Sequence, residues 1–105
     1  MEVSKSDWTL YRKRLAGWQE NFMEKLCTEY AAILNDIGID ASERFWTLER
    51  RIWEDKQLSG VRVEMRKSNM LYDIARLIEE RAISFEDLSE FSPELQEAVK
   101  MFLQI

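Results

Sequence analysis

The sequence predicts an all-α fold: a compact bundle of four to five helices led by a long N-terminal helix, forming one domain over residues 1–105. Three observations carry this. One proline and three glycines in 105 residues leave too little turn chemistry for a many-stranded sheet, which needs punctuation roughly every ten residues. Apolar residues recur three and four apart along most of the chain, which is the rhythm of a helix with one buried face. Capping residues (Ser, Asp, Asn) stand just ahead of the apolar runs, where a side-chain oxygen accepts from the free N–H groups of a first turn.

The first helix is expected to start at Ser6 or Asp7. Its seam runs Trp8, Tyr11, Leu15, Trp18, Phe22, Leu26, Tyr30, Ile33 and Ile37, with Gly38 as the natural stop. Some thirty residues at about 1.5 Å each give about 45 Å, far more than a compact domain of this size spans, so this helix must either kink near Gly17 or project towards a partner. A second helix is announced by Asp40-Ala41-Ser42-Glu43, with Asp40 or Ser42 as cap and Glu43 reaching back. Phe45, Leu48 and Ile52 form its inner stripe, with Trp46 and Trp53 beside it on the same side. Together they cover an arc of roughly 160°, wider than one neighbour needs, which leaves a flank for something else.

Residues 61–67 alternate apolar and charged and read as an extended connector, since no partner strand is in sight. A third helix follows from Ser68 or Asn69, with Met70, Leu71, Ile74, Leu77 and Ile78 inward. Ser84 to Leu88 reads as one capped helical turn. At Ser92-Pro93 a serine cap precedes a proline in the first helical position, and the last helix packs Leu95, Val99, Phe102 and Leu103.

Composition narrows the function classes. No histidine is present, which removes the commonest general base and metal ligand. The glycines stand too far apart for a phosphate loop, a dinucleotide fingerprint or a nucleophile elbow. The carboxylate groupings Glu79-Glu80 and Glu86-Asp87-Glu90 read as solvated faces and first-turn acids. The chain therefore reads as a non-enzyme with no catalytic residues, no cofactor and no metal site. The single cysteine, Cys27, rules out an internal disulfide and a cysteine-based zinc site, which suits a reducing, cytoplasmic setting. The N-terminus lacks the apolar core of a signal peptide. No apolar run exceeds Tyr30–Leu34, so no membrane span is expected.

The net charge is −5, and residues 84–105 hold one basic and five acidic groups, four of the five excess negatives. Such an end repels phosphate and places direct nucleic-acid binding below protein binding. The acidic residues Glu86, Asp87, Glu90, Glu94 and Glu97 could instead occupy a basic groove built for phosphates. Among the aromatics, Trp8, Trp18, Phe22, Phe45 and Trp46 are expected mostly in the core. Tryptophan and arginine dominate binding hot spots, so Trp53 with Arg50 is the first candidate contact pair and Trp8 the next exposed candidate. A nucleic-acid-binding alternative would use Arg12, Arg14, Arg62, Arg66 and Lys67.

The central residues also resemble a known group. Phe45-Trp46-x-Leu48-Glu49-x-Arg51-Ile52-x-x-Asp55-Lys56, Gly60-Val61-x-x-Glu64-Met65-Arg66-Lys67-Ser68, Ile83-Ser84-x-Glu86-Asp87-Leu88 and Phe91-Ser92-x-Glu94-Leu95 are similar to short helical proteins of Gram-positive bacteria and their mobile elements. The likeness spans about residues 43–102. Some of that group carry the label "multidrug transporter", which the lack of an apolar span in this chain opposes. The resemblance brings no catalytic residues, and its mobile-element setting implies an anti-defence role such as inhibition of a CRISPR nuclease. The reading from sequence is thus a protein-binding regulator whose partner is another protein, in its sharpest form a nucleic-acid-binding nuclease. A homodimer or helical scaffold is the other class it leaves open.

Overall fold

The structure, a computed structural model, describes residues 2–104. Among the described residues four α-helices follow one another: α1 (Lys5–Leu34), α2 (Ala41–Asp55), α3 (Met70–Glu79) and α4 (Pro93–Leu103). Two short 3-10 turns, Lys67–Asn69 and Phe85–Leu88, precede α3 and α4. No strand occurs among the described residues. The all-α expectation holds, and the count is four because the Ser84–Leu88 segment closes only a 3-10 turn. That turn is fixed by a capping box, in which Asp87 accepts from the Ser84 N–H at 2.8 Å.

The cap of α1 is Ser4, whose Oγ accepts from the Asp7 N–H at 3.1 Å; the sequence pointed to Ser6 or Asp7. Asp7 is instead buried in the first turn and committed to α4. Its carboxylate accepts from the Ser92 N–H at 3.0 Å and the Ser92 hydroxyl at 2.6 Å. The helix then runs unbroken through Gly17 for 30 residues, about 45 Å, because a lone glycine weakens a helix without removing a hydrogen bond. It stops at Leu34, short of the expected Gly38; the Asn35 N–H closes the last turn on the Ala31 carbonyl at 2.9 Å, and Ile37 beyond it is 91% exposed.

The first half of α1 and the two C-terminal helices form the head. Tyr11, Leu15, Met70, Ile74, Leu77, Leu88, Leu95 and Val99 are buried there, with Trp8, Trp18 and Leu103 packed against them. Trp8, Tyr11, Trp18 and Phe91 make a ladder of rings with successive centroids 6.0 to 6.3 Å apart, a favourable aromatic spacing. Phe102, expected inside, is half exposed, and Leu103 takes the inward place in the final turn. The end of α3 turns through Arg81 in the left-handed region, φ 64°, while the Ala82 N–H reaches back to the Leu77 carbonyl at 2.9 Å.

The second half of α1 packs against α2 as an antiparallel hairpin, the arm. With principal extents of 51 × 25 × 18 Å and a radius of gyration of 16.5 Å, the chain is elongated, since a compact domain of this length has about 13 Å. The expected compact bundle is therefore corrected: α1 is long enough to serve the head with one half and the arm with the other. Where the chain passes from arm to head, the Glu80 carboxylate accepts from the Ser59 and Gly60 N–H groups at 3.0 and 2.9 Å and from Arg76 at 3.3 Å. The Gln19 amide donates to the Ser59 carbonyl at 3.0 Å. Gly60 lies directly on the Phe22 ring, with no room for a Cβ. No helix is long and apolar enough to cross a membrane among the described residues.

Candidate functional site

α2 forms because its inner line has partners on α1. Arg44 donates to the Leu34 carbonyl at 2.6 Å and to the Ile39 carbonyl at 2.9 Å, tying the inter-helix loop to the second helix. Arg51 donates to Glu29 at 2.8 Å, and the Tyr30 hydroxyl donates to Asp55 at 2.5 Å. Desolvation, followed by that bond to Asp55, raises the ionisation of Tyr30 well above the ordinary tyrosine range. The Asp40 side chain makes no capping bond, contrary to the expected capping arrangement. This helix rests on polar fastenings and on the half-buried Leu48, and none of its residues is fully buried.

The opposite face is aromatic and bare. Phe45, Trp46 and Trp53 are 61%, 64% and 60% exposed. Phe45 and Trp46 meet edge to face with centroids 5.0 Å apart. These two were expected in the core, and the structure corrects this. α1 covers only the side of α2 that carries Arg44, Leu48, Arg51 and Asp55, and the apolar arc read from the sequence is wider than one neighbouring helix can cover. Arg50 lies on the bare side with Trp53 and makes only a loose pair with Glu54, 3.5 Å away. Between the two arm helices Met23, Leu26, Cys27, Tyr30, Ile52 and Val61 line a groove of about 340 Å³.

The other sequence candidates are placed differently. Trp8 is half-buried against the head core, its ring covered by the Arg12 guanidinium at 5.2 Å, so it is not the exposed residue expected. Of the acidic set, Asp87 is spent on the Ser84 turn, Glu90 holds Arg14 at 2.8 Å and Glu97 lies 3.5 Å from Lys100. Glu86 and Glu94 are exposed with no ion-pair partner among the described residues. The basic set is similarly engaged: Arg14 with Glu90, Arg62 with Gln57 at 3.3 Å and Arg66 with Glu64 at 2.7 Å. Arg12 and Lys67 are exposed.

Sequence reasoning missed the fastenings: Asp7 with Ser92, Glu80 with the 59–60 turn, and Tyr30 with Asp55. These pairs lie 85, 21 and 25 residues apart, beyond any local pattern. Arg44, four residues after Asp40, caps the carbonyl end of α1 at Leu34, a role that local spacing does not show. Among the described residues no three Cys, Asp or Glu side chains gather into a group able to hold a metal ion. Comparison with known protein families, with characterised proteins and with solved structures finds no match to this chain.

Proposed function

We propose that this chain is a non-enzymatic, protein-binding regulator that makes contact through the outer face of α2. One observation carries the reading: a helix in a protein with a well-formed core leaves two tryptophans and a phenylalanine about three-fifths exposed. Large contiguous apolar patches on soluble proteins mark interaction sites, and tryptophan flanked by arginine is the composition of binding hot spots. The absence of histidine and the commitment of Asp7, Asp87, Glu80 and Glu90 to structural bonds favour binding over catalysis. The test is affinity capture from the native host with the wild-type chain and with a Trp46→Ala/Trp53→Ala variant. A specific captured protein, a second copy of the chain included, that is lost with the double variant, whose circular dichroism stays helical, supports the reading; equal capture by both refutes it.

The narrower form, an inhibitor of a nucleic-acid-handling enzyme such as a CRISPR nuclease, has Glu86 and Glu94 as its free acidic groups. A Cas9 cleavage assay with and without the chain tests it, and unchanged cutting at large molar excess removes it.

A further inference from the structure

We infer that the outer face of α2 is covered by a second copy of this chain, with the two α2 helices side by side and parallel about a twofold axis. The inference rests on the reading of that face as a contact surface and names its occupant. Trp46 and Trp53 are seven residues apart, so they lie within about 20° of each other around the helix and about 10 Å apart along it. At 100° per residue, Glu49 and Arg50 fall midway in height and about 50° to either side of that tryptophan line. The face therefore reads, from its N-terminal to its C-terminal end, as a tryptophan, a layer with an acid on one edge and a base on the other, and a second tryptophan.

The charges choose both the occupant and the orientation. A twofold axis parallel to α2 stacks Trp46 on Trp46 and Trp53 on Trp53, and it brings each Glu49 against Arg50 of the other copy, once on each edge. The same operation brings Glu54 near Lys56 of the second copy, so Arg50 gives up its loose 3.5 Å partner for a nearer one while Glu54 gains another. In the antiparallel arrangement Glu49 would face Glu49 and Arg50 would face Arg50, and like charges set against one another oppose assembly. A self-complementary patch is what a twofold dimer requires. At about 150–250 Å² per aromatic side chain, the exposed parts of Trp46 and Trp53 supply on the order of 300 Å² per copy, with Phe45, about 90° round the helix, at the rim. With its polar rim such a pair buries on the order of 1,000 Å², the lower end of a specific interface and the range of weak, reversible association.

Sedimentation equilibrium on the full chain tests this. The wild type is expected to dimerise with a dissociation constant in the micromolar range. Arg50→Glu alone and Glu49→Arg alone each set four like charges in one layer and should weaken it at least about tenfold. Mixing those two variants restores opposite charges on both edges and should restore the dimer. Orientation is read by a Ser42→Cys chain in a Cys27→Ser background, which forms a disulfide dimer under mild oxidation if the helices are parallel. A wild type that stays monomeric at hundreds of micromolar, charge variants that dimerise like wild type, or no Ser42→Cys cross-link would each overturn the proposal. Should the chain stay monomeric while Trp46→Ala/Trp53→Ala still loses a host protein, the second copy is wrong and the contact surface stands.

Discussion

Asp7 and Ser92 are 85 residues apart in sequence, yet the buried Asp7 carboxylate takes both the N–H and the hydroxyl hydrogen of Ser92, at 3.0 and 2.6 Å. Ser92 in turn accepts from the Leu95 N–H at 3.2 Å, so a single carboxylate organises the start of α4 from the first turn of α1. Replacing Asp7 by Ala leaves two part-buried donors without their acceptor. The expected cost is about 2–4 kcal/mol, since hydrogen bonds to charged groups carry about 1.5–3 kcal/mol each. Chemical denaturation measures it, and a loss below about 0.5 kcal/mol would mean that water replaces the carboxylate without penalty.

Glu80 has the same kind of role at the junction of arm and head. Glu80→Ala removes the acceptor of the Ser59 and Gly60 N–H groups and is expected to destabilise by about 2–4 kcal/mol. Its diagnostic readout is hydrogen exchange. Protection should fall at residues 59–60 while the α3–α4 core amides lose only the protection that follows from the global change.

Two glycines give opposite predictions. Gly17 is exposed in the middle of α1, with open space where an added methyl group would sit, so Gly17→Ala should stabilise by about 0.5–1 kcal/mol and raise the melting midpoint by several degrees. At Gly60 the added Cβ would run into the buried Phe22 ring, and Gly60→Ala should destabilise by about 1–3 kcal/mol through overpacking. Paired thermal melts decide both signs.

Much of the fold is legible along the chain, and the reason is local. The Met70, Ile74, Leu77 line, the Ser92-Pro93 start and the Ser84 turn each depend on residues within one or two helical turns, and each stands where the spacing puts it. What the spacing lacks is any measure of how many neighbours a helix has. Phe45, Leu48 and Ile52 follow the same three-and-four rhythm as Tyr11 and Leu15, but α1 offers α2 one narrow face, while Tyr11 and Leu15 share one buried cluster with residues of α3, α4 and the 85–91 segment. The exposure of Trp53 and Arg50 can be anticipated because the apolar arc of α2 is too wide for one neighbour. Trp8 is half-buried against the head core and under the Arg12 guanidinium, which spacing alone does not give.

Asp73 shows where acid should help. Burial, then the charges of Glu80 and Glu64, push its carboxyl above the usual aspartate value of 3.8, with Arg76 pulling the other way. A raised folded-state value means that the folded chain holds its proton more tightly than the unfolded one. The contribution is therefore favourable below the unfolded value and lost as pH rises through the folded one. Asp73→Asn should raise the denaturation midpoint at neutral pH, and the gap to wild type should close as pH falls below about 4. Glu90, held below the ordinary range by its hydrogen bond to Arg14 and then by the charge of Arg14, has the opposite sign: its contribution is present at neutral pH and lost in acid. A gap that widens in acid would contradict the assignment for Asp73.

Whether the aromatic face of α2 is a contact surface is decided by association. Both self-association and capture of a host protein are measured for the wild-type chain and for Trp46→Ala/Trp53→Ala at matched helicity. The double variant should lose association by at least about tenfold with its fold and melting midpoint nearly unchanged, because both side chains are mostly exposed. Association equal to wild type would show that these tryptophans are not the contact, and a double variant that unfolds would show that they serve the fold.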